Sequence, residues 1–248
     1  MLLKDKVALV TGAGQGIGKS IAECYAKEGA KVVVVDYNLE LAKETSLEIN
    51  NNGGISTYFK ADVTKEDEVV SMIDYTINTY GKLDCACNNA GKTNIPESIL
   101  DIDKNEFDEV YKLDVRGIFF CLKAEIKAMR ENGGGTIVNI SSTNGLVGTG
   151  NMVPYNSAKH AVIGLTKSVA LEECKNNIRI NTVCPGATLT PLVEKQNPEI
   201  LKRFCDSIPI GRMARPEEIG NVVVFLSSDL SSYMIGSTVV VDGGVTID

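Results

Sequence analysis

The fold is decided by residues 7–18, which read VALVTGAGQGIG. Residues 7–10 are a short apolar run that predicts a buried strand. After the glycine-rich turn, apolar residues recur at helical spacing from Ile21 to Ala26. Glycines in such a turn let backbone N–H groups approach a diphosphate, and the N-terminus of the helix favours its negative charge. The order strand, glycine turn, helix therefore predicts a dinucleotide site, although a glycine turn alone can also be a plain connector.

A second apolar strand, residues 31–35, ends at Asp36, eighteen residues beyond Gly18. A carboxylate at this place can accept hydrogen bonds from the adenosine ribose hydroxyls and repel a 2′-phosphate. A helix or turn cap at the end of a strand is the alternative role for such a residue. We interpret Asp36 as selecting NAD rather than NADP.

Strands of continuous Val, Ile and Ala alternate with helical patterns along the rest of the chain, with no break in composition. Further strands are predicted at residues 55–60, 83–86, 136–141, 178–184 and 238–241. Further helices are predicted at residues 39–49, 66–80, 107–129 (which Gly117 could interrupt), 155–174 and 216–226. This alternation indicates an α/β fold, a doubly wound parallel sheet of about seven strands with helices on both faces. We expect residues 1–248 to form a single domain.

Composition excludes several classes of partner. The net charge of −7, with no basic run, argues against nucleic acid or an anionic membrane surface. No apolar stretch reaches the roughly 18 residues that span a bilayer, and the N-terminus lacks the pattern of a signal peptide. Seven scattered cysteines are interpreted as plain thiols of a reducing compartment, and with the single His160 no metal site is predicted. We expect a cytoplasmic protein.

Tyr155 and Lys159 are four residues apart, so they fall on one face of a predicted helix. An ammonium near a phenol favours the phenolate, and a tyrosine so tuned can exchange a proton with a substrate oxygen. Ser142 directly follows the predicted strand 136–141. The pattern Tyr-x-x-x-Lys also occurs in ordinary amphipathic helices. Here, however, several other motifs lie at the carboxyl ends of strands, where the ligands of such sheets bind, and they would share one crevice. The motifs predicted at the carboxyl ends of strands are the diphosphate turn, Asp36, Asp62, the turn at Asn88, Ser142 and Pro185-Gly186.

With these residues assembled, the whole chain resembles the short-chain dehydrogenase/reductase family, in the subgroup with a single Rossmann-type domain of this length. The motifs that carry the resemblance are TG-x-x-x-G-x-G at residues 11–18, Asp62-Val63, NNAG at 88–91, Ser142, Y-x-x-x-K at 155–159, Pro185-Gly186 with Thr188 and Thr190, and DGG at 242–244.

The resemblance implies that residues 1–248 form a dinucleotide-binding and catalytic domain in which Tyr155 is the general acid in reduction and the general base in oxidation. It implies that Ser142 hydrogen-bonds the substrate oxygen and that Lys159 binds the nicotinamide ribose. It also implies an NAD site with three parts. The diphosphate turn comprises Gly12, Gln15, Gly16, Ile17 and Gly18. The adenosine side comprises Asp36, Asp62, Val63, Asn89, Ala90 and Gly91, and the nicotinamide side comprises Ile140, Tyr155, Lys159, Pro185, Gly186, Thr188 and Thr190. Members of this kind are usually homotetramers.

The chain departs from the family at Asp114, within residues 113–119, where the family usually carries an Asn that helps hold a water in a relay to the lysine. Asp114 keeps the acceptor but loses the amide donor, and it adds a negative charge unless protonated. We count it among the catalytic residues. We hypothesise that a charged Asp114 stabilises Lys159 as a cation and screens its pull on Tyr155, which moves optimal oxidation to higher pH. The alternative is that a carboxylate substitutes with little effect.

The predicted function is an NAD(H)-dependent oxidoreductase that interconverts a secondary alcohol and a ketone. Substrate contacts are expected from residues 92–98, 143–154 and 189–209, the last of which is long enough to form a lid. The mostly apolar residues 145–147 and 152–153 favour a cyclic, steroid-like or otherwise apolar alcohol.

Other functions stay open. Within the family, the chain could be a sugar dehydrogenase or a 3-oxoacyl-carrier-protein reductase. The reductase usually goes with NADPH and a basic docking patch, so Asp36 and the net acidity count against it. A non-catalytic dinucleotide-binding protein is the alternative of another class. Asp114 favours it, whereas Ser142, Tyr155 and Lys159 oppose it.

Overall fold

The computed structural model describes residues 1–247, apart from the side chain of Leu192; Asp248, the last residue of the predicted domain, lies outside the described residues. Within this part of the chain, seven parallel strands form one sheet in the order β3-β2-β1-β4-β5-β6-β7. They are β1 (Val7–Thr11), β2 (Lys31–Asp36), β3 (Ile55–Lys60), β4 (Cys85–Asn88), β5 (Gly135–Ile140), β6 (Ile178–Pro185) and β7 (Thr238–Val241). The predicted doubly wound parallel sheet is confirmed, and its strand order reverses between β1 and β4.

Helices cover both faces of this sheet. They are α1 (Gly16–Lys27), α2 (Leu39–Asn51), α3 (Glu66–Tyr80), α4 (Lys104–Tyr111), α5 (Ile118–Glu131), α6 (Val153–Glu173), α7 (Pro191–Glu194), α8 (Pro198–Asp206) and α9 (Pro216–Ser227). Successive strand residues point to opposite faces. Val10 therefore joins the core beneath α1, α2 and α9, while its neighbour Leu9 joins the core beneath α3, α5 and α6. No helix within residues 1–247 is both long and apolar enough to span a bilayer.

Most predicted elements end within one or two residues of the observed ones, and three differences have an identifiable local cause. The fourth strand begins at Cys85 rather than at residue 83, because the Asp84 carboxylate occupies a place beside the ladder and accepts the Val7 N–H at 2.8 Å. The predicted helix 107–129 is divided into α4 and α5 by a wider π-helical turn, Lys112–Gly117. The segment 189–209 contains α7 and α8, which were not predicted because each is short; Asn197 caps α8 by accepting the Glu199 N–H at 2.8 Å.

Beneath the sheet, Glu125 of α5 is a fully buried carboxyl group. Asn88 donates a hydrogen bond to its Oε2 at 3.0 Å and another to Asn139 at 3.0 Å. Oε1 of Glu125 has no hydrogen-bond partner among the described residues. Burial raises the pKa of Glu125 to about 7, and the hydrogen bond from Asn88 offsets this only in part. The folded chain therefore holds this proton to a higher pH than the unfolded chain does.

We expect Glu125→Gln to be more stable than the wild type near pH 8 but not near pH 5. The ordinary pKa of this group is 4.5, so its contribution to stability is fully present below that pH and is lost as pH rises to about 7. At roughly 1.4 kcal/mol per pH unit, the loss is about 3 kcal/mol. Urea unfolding of both proteins at the two pH values measures it, with Glu131→Gln, an exposed change at the end of α5, as the control. An equal difference in unfolding free energy at both pH values would contradict the prediction.

Candidate active site

A cleft of about 770 Å³ opens at the carboxyl ends of the strands, beside the point where the strand order reverses. This is where ligands of open α/β sheets bind. Of the predicted catalytic and cofactor residues, all but Asp114 and Thr188 line this cleft. Residues spread from Gly12 to Thr190 are therefore brought together, as the parallel alternation predicted.

The diphosphate turn has the shape of a cradle that side chains would fill. Gly12 and Gly16 have left-handed φ values of 61° and 60°, which favour glycine. A Cβ at Gly18 would overlap the carbonyl oxygen of Gly12 and the side chain of Asn89. Because α1 begins at Gly16, its N-terminal N–H groups and positive dipole end lie at this cradle. These residues fit the diphosphate of a dinucleotide.

Asp36 ends β2 with its carboxylate held in place at the cleft. Its Oδ2 accepts the Gly14 N–H and its Oδ1 accepts the Asn38 N–H, each at 2.9 Å. A Cβ at Gly14 would lie 2.9 Å from Oδ2 of Asp36 and 2.7 Å from Cβ of Leu41. Asp36 thus braces the local turn, which was the alternative interpretation, and it also presents a carboxylate to the cleft. Gly14 was not among the predicted cofactor residues, because its close approach to Asp36 and Leu41 depends on a contact between separate segments.

The end of β4 is tied to the end of β1 by side-chain hydrogen bonds. The Asn89 amide donates to the carbonyl oxygens of Thr11 and Gly12, both at 3.1 Å. The Thr11 hydroxyl oxygen accepts the backbone N–H groups of Asn89 at 3.1 Å and of Ala90 at 3.2 Å. These bonds hold Ala90 and Gly91 at the cleft wall. Thr11 belongs to the predicted cofactor motif, but its hydrogen bonds to the end of β4 were not predicted.

Asp62 lies at the predicted adenine side. Burial would raise the pKa of Asp62, but hydrogen bonds from the Thr64 hydroxyl at 2.8 Å and the Thr64 N–H at 3.0 Å outweigh it and lower the pKa. Its carboxylate is therefore an ionised acceptor beside the cleft.

Ser142, Tyr155 and Lys159 line the same cleft as the glycine cradle. The Ser142 hydroxyl oxygen accepts the Asn144 N–H at 3.1 Å, which leaves its own O–H available as a donor. Lys159 is buried, and its Nζ lies 5.5 Å from the centre of the Tyr155 ring. Nζ also donates to the Ile140 carbonyl oxygen at 3.3 Å. Lys159 therefore lies beside the Tyr155 ring, as the spacing of these two residues on one helix predicted.

Asp114 lies behind that lysine, in the π-helical turn and wholly buried. Its Oδ2 is 3.0 Å from Nζ of Lys159, and its Oδ1 accepts the Lys92 N–H at 2.9 Å. Burial would lower the pKa of Lys159, but the charge of Asp114, together with a smaller effect of Tyr155, outweighs it and raises the pKa. Asp114 therefore acts on the site through Lys159, and Lys159 is held as a cation.

Thr188 does not reach the cleft. Its side chain is buried, and its hydroxyl donates to the Gly186 carbonyl oxygen at 3.0 Å, so it braces the turn after β6. Contact between Thr188 and a cofactor stays a prediction. Thr190 does line the cleft, where its methyl group faces Gly16.

Comparison with known proteins shows the family to which this site belongs. A family model described as enoyl-(acyl carrier protein) reductase matches residues 12–246. A cyclohexanol dehydrogenase of Acinetobacter sp. (strain SE19) is 41% identical, over 98% of this chain and 95% of that protein. The chain belongs to the short-chain dehydrogenase/reductase family.

Two solved structures of the short-chain dehydrogenase/reductase fold are also similar. A 7α-hydroxysteroid dehydrogenase complexed with NADH and 7-oxo glycochenodeoxycholic acid is 36% identical, with a TM-score of 0.93 over 98% of this chain and 94% of that one. A 3-ketoacyl-(acyl-carrier-protein) reductase from Brucella melitensis complexed with NADH is 34% identical, with a TM-score of 0.92 over 98% of this chain and 99% of that one. As a member of this family, the chain is an oxidoreductase.

Proposed function

We propose that the protein interconverts a secondary alcohol and a ketone with NAD(H), and that Tyr155 exchanges the proton. The proposal depends on one observation: Ser142, Tyr155 and Lys159 share a cleft with the glycine cradle and Asp36. Ser142 is a hydrogen-bond donor, Tyr155 an acid and Lys159 a cation, and all three lie in one cleft with the dinucleotide cradle. This arrangement suits the transfer of a proton and a hydride at one carbon–oxygen bond.

Each residue has a separate task in this mechanism. When bound, NAD(H) supplies the acceptor or donor for the hydride of the alcohol carbon. The Ser142 O–H donates a hydrogen bond to the substrate oxygen, while Asn144 fixes the Ser142 oxygen from behind. In reduction, Tyr155 gives its phenolic proton to that oxygen; in oxidation, its phenolate takes the proton. The Lys159 cation stabilises this phenolate.

NAD is favoured over NADP by the carboxylate of Asp36. Asp36 is nearly buried and already accepts two backbone N–H groups, so a 2′-phosphate beside it would meet a fixed negative charge. The similar structures complexed with NADH support the same choice.

An apolar, cyclic alcohol is the proposed substrate class. Leu146, Val147 and Leu189, in the predicted substrate segments, are large hydrophobic residues that are exposed. Ile200 and Phe204 of α8, in the predicted lid, are exposed as well. These side chains do not line the cleft themselves, but their segments adjoin Ser142, Thr190 and Pro191, which do. Apolar side chains on segments beside a cleft suit an apolar ligand. The similarity to a cyclohexanol dehydrogenase and a hydroxysteroid dehydrogenase supports this class.

The second candidate is a 3-ketoacyl-(acyl-carrier-protein) reductase, which one similar structure favours. An acidic carrier protein would need a basic docking surface. Lys202 and Arg203 are exposed on α8, but residues 190–209 carry three carboxylates for their three cations. This charge balance favours the alcohol dehydrogenase. The homotetramer, the cytoplasmic location and the single domain stay predictions.

Initial rates with NAD and NADP, measured separately on a panel of cyclic alcohols, hydroxysteroids, sugars and acetoacetyl esters, test the proposal. We expect turnover of a cyclic alcohol with NAD. A clear preference for NADP would contradict the interpretation of Asp36, and activity on acetoacetyl esters alone would favour the second candidate. Bound NADH without turnover of any substrate would favour a non-catalytic protein.

A further inference from the structure

The helix that carries Tyr155 begins with little local capping. Its N-cap residue is Met152, whose thioether is a weak acceptor. Tyr155 lies in the first turn, where backbone N–H groups lack partners within the helix. Its N–H instead donates to Oδ1 of Asn94, which is 61 residues away in the chain, at 3.3 Å. Asn94 thus caps α6 from the loop that follows β4.

Asn94 is held firmly enough to serve as a cap. It is only 2% exposed. Its Nδ2 donates to the carbonyl oxygens of Ile95 at 2.7 Å and of Asn151 at 3.4 Å. The Asn151 carbonyl also accepts the Glu97 N–H at 2.9 Å. The amide therefore uses its donor to join two substrate-facing loops and its acceptor to hold Tyr155.

The two turns of α6 that carry the proton-transfer group are anchored differently. At Lys159, the backbone carbonyl accepts the Ser141 hydroxyl at 2.9 Å, and Nζ is held by Asp114 and Ile140. At Tyr155, the backbone anchor from outside the helix is Asn94. Loss of the Asn94 acceptor would therefore leave Lys159 in place and loosen Tyr155.

We infer that Asn94 is a positioning residue for Tyr155. It caps the first turn of α6 across the cleft and so fixes the phenol relative to Ser142 and Lys159. The inference rests on the proposed function, since it concerns the residue proposed to transfer the proton. Misplacement of a reacting group by about 1 Å can cost a factor on the order of 10² in rate, so the effect falls on kcat.

Two variants separate the cap from general packing. Asn94→Asp keeps the acceptor, which the positive end of the helix favours, but loses the Nδ2 donor, whereas Asn94→Ala removes both. We expect kcat to fall about 10- to 100-fold in Asn94→Ala and by a smaller factor in Asn94→Asp, in which the remaining loss reports the missing Nδ2 donor. KM and the NADH dissociation constant are expected to change little in either. Asn50→Ala is the control: Asn50 makes comparable bonds to Ser56, at 2.7 and 3.1 Å, outside the cleft, and its kcat should equal that of wild type.

Hydrogen exchange of the Tyr155 amide, measured without substrate, tests the cap independently of activity. We expect faster exchange in Asn94→Ala than in wild type or Asn94→Asp. Unchanged exchange in Asn94→Ala, or an equal loss of kcat in both variants, would overturn the inference. If Asn94→Ala fails to fold, Asn94→Asp is the test: because it keeps the acceptor for the Tyr155 N–H, loss of Tyr155 amide protection in this variant overturns the cap. Wild-type protein that turns over no alcohol would contradict the proposed function, and the exchange data would still test the cap.

Discussion

Replacement of Tyr155 by Phe is expected to lower kcat for alcohol oxidation by about 10²- to 10⁴-fold, the range that general acid–base catalysis contributes. The change removes one oxygen from the cleft. The ring, with Nζ of Lys159 at 5.5 Å from its centre, is kept, so Lys159 and the cofactor side of the site should be preserved. NADH binding, followed by its fluorescence, should therefore be close to wild type while turnover is lost.

Tyr233→Phe is the matched control, because Tyr233 is fully exposed and lies outside the cleft. It should retain wild-type kcat. Turnover by Tyr155→Phe at the wild-type rate would contradict the assignment of the general acid and base. Lost turnover with retained NADH binding would also exclude the non-catalytic alternative.

The prediction from sequence succeeded where the deciding interactions are local. The glycine turn at residues 12–18 and Asp36 depend on a strand, a turn and a helix that follow each other directly. The convergence of Ser142 and Pro185 with that turn followed from topology, because parallel strands bring their carboxyl ends to one edge.

The prediction failed where a side chain from a distant segment replaces a backbone partner. Asp84 shifts the start of β4 by a contact with Val7 on the adjacent strand β1. Asn94 supplies the acceptor that Met152 lacks at the start of α6. Neither contact has a signature in the spacing of residues. An Asn three residues after the NNAG motif was a visible signal, but only the crossing of two loops gives it meaning.

The role of Asp114 could be predicted only in part. Its presence at the usual Asn position was visible in the sequence, whereas its contact with Lys159 was not. The structure gives a buried ion pair at 3.0 Å, both of whose side chains are nearly or wholly inaccessible. In the wild type, the positive charge of Lys159 near Tyr155 is therefore offset by a negative charge directly behind it. This pair thereby reduces the attraction that Lys159 exerts on a negative charge at Tyr155.

Asp114→Asn is accordingly expected to move the pH–rate profile of alcohol oxidation to lower pH by about one unit, the order of effect that one charge exerts over several ångströms at the effective dielectric constant of about 20 that also describes buried sites. The rising limb moves because Lys159 then acts on the Tyr155 phenolate without an opposing carboxylate. The falling limb moves the same way, because Asp114 is what raises the pKa of Lys159 against the effect of burial. The amide oxygen can still accept the Lys92 N–H, so the loop after β4 should keep its anchor.

The comparison uses kcat for oxidation across the pH range in wild type, Asp114→Asn and Asp108→Asn. Asp108 is exposed on α4, so the control removes the same charge without touching Lys159, and its profile should match that of wild type. If Asp114→Asn also leaves the profile unchanged, the charge of Asp114 has no effect on the profile, and its side chain serves only as the acceptor for the Lys92 N–H, as Asn would. If both limbs of Asp114→Asn move to lower pH, Asp114 sets the pH at which Tyr155 works, because its charge determines how strongly Lys159 attracts the phenolate.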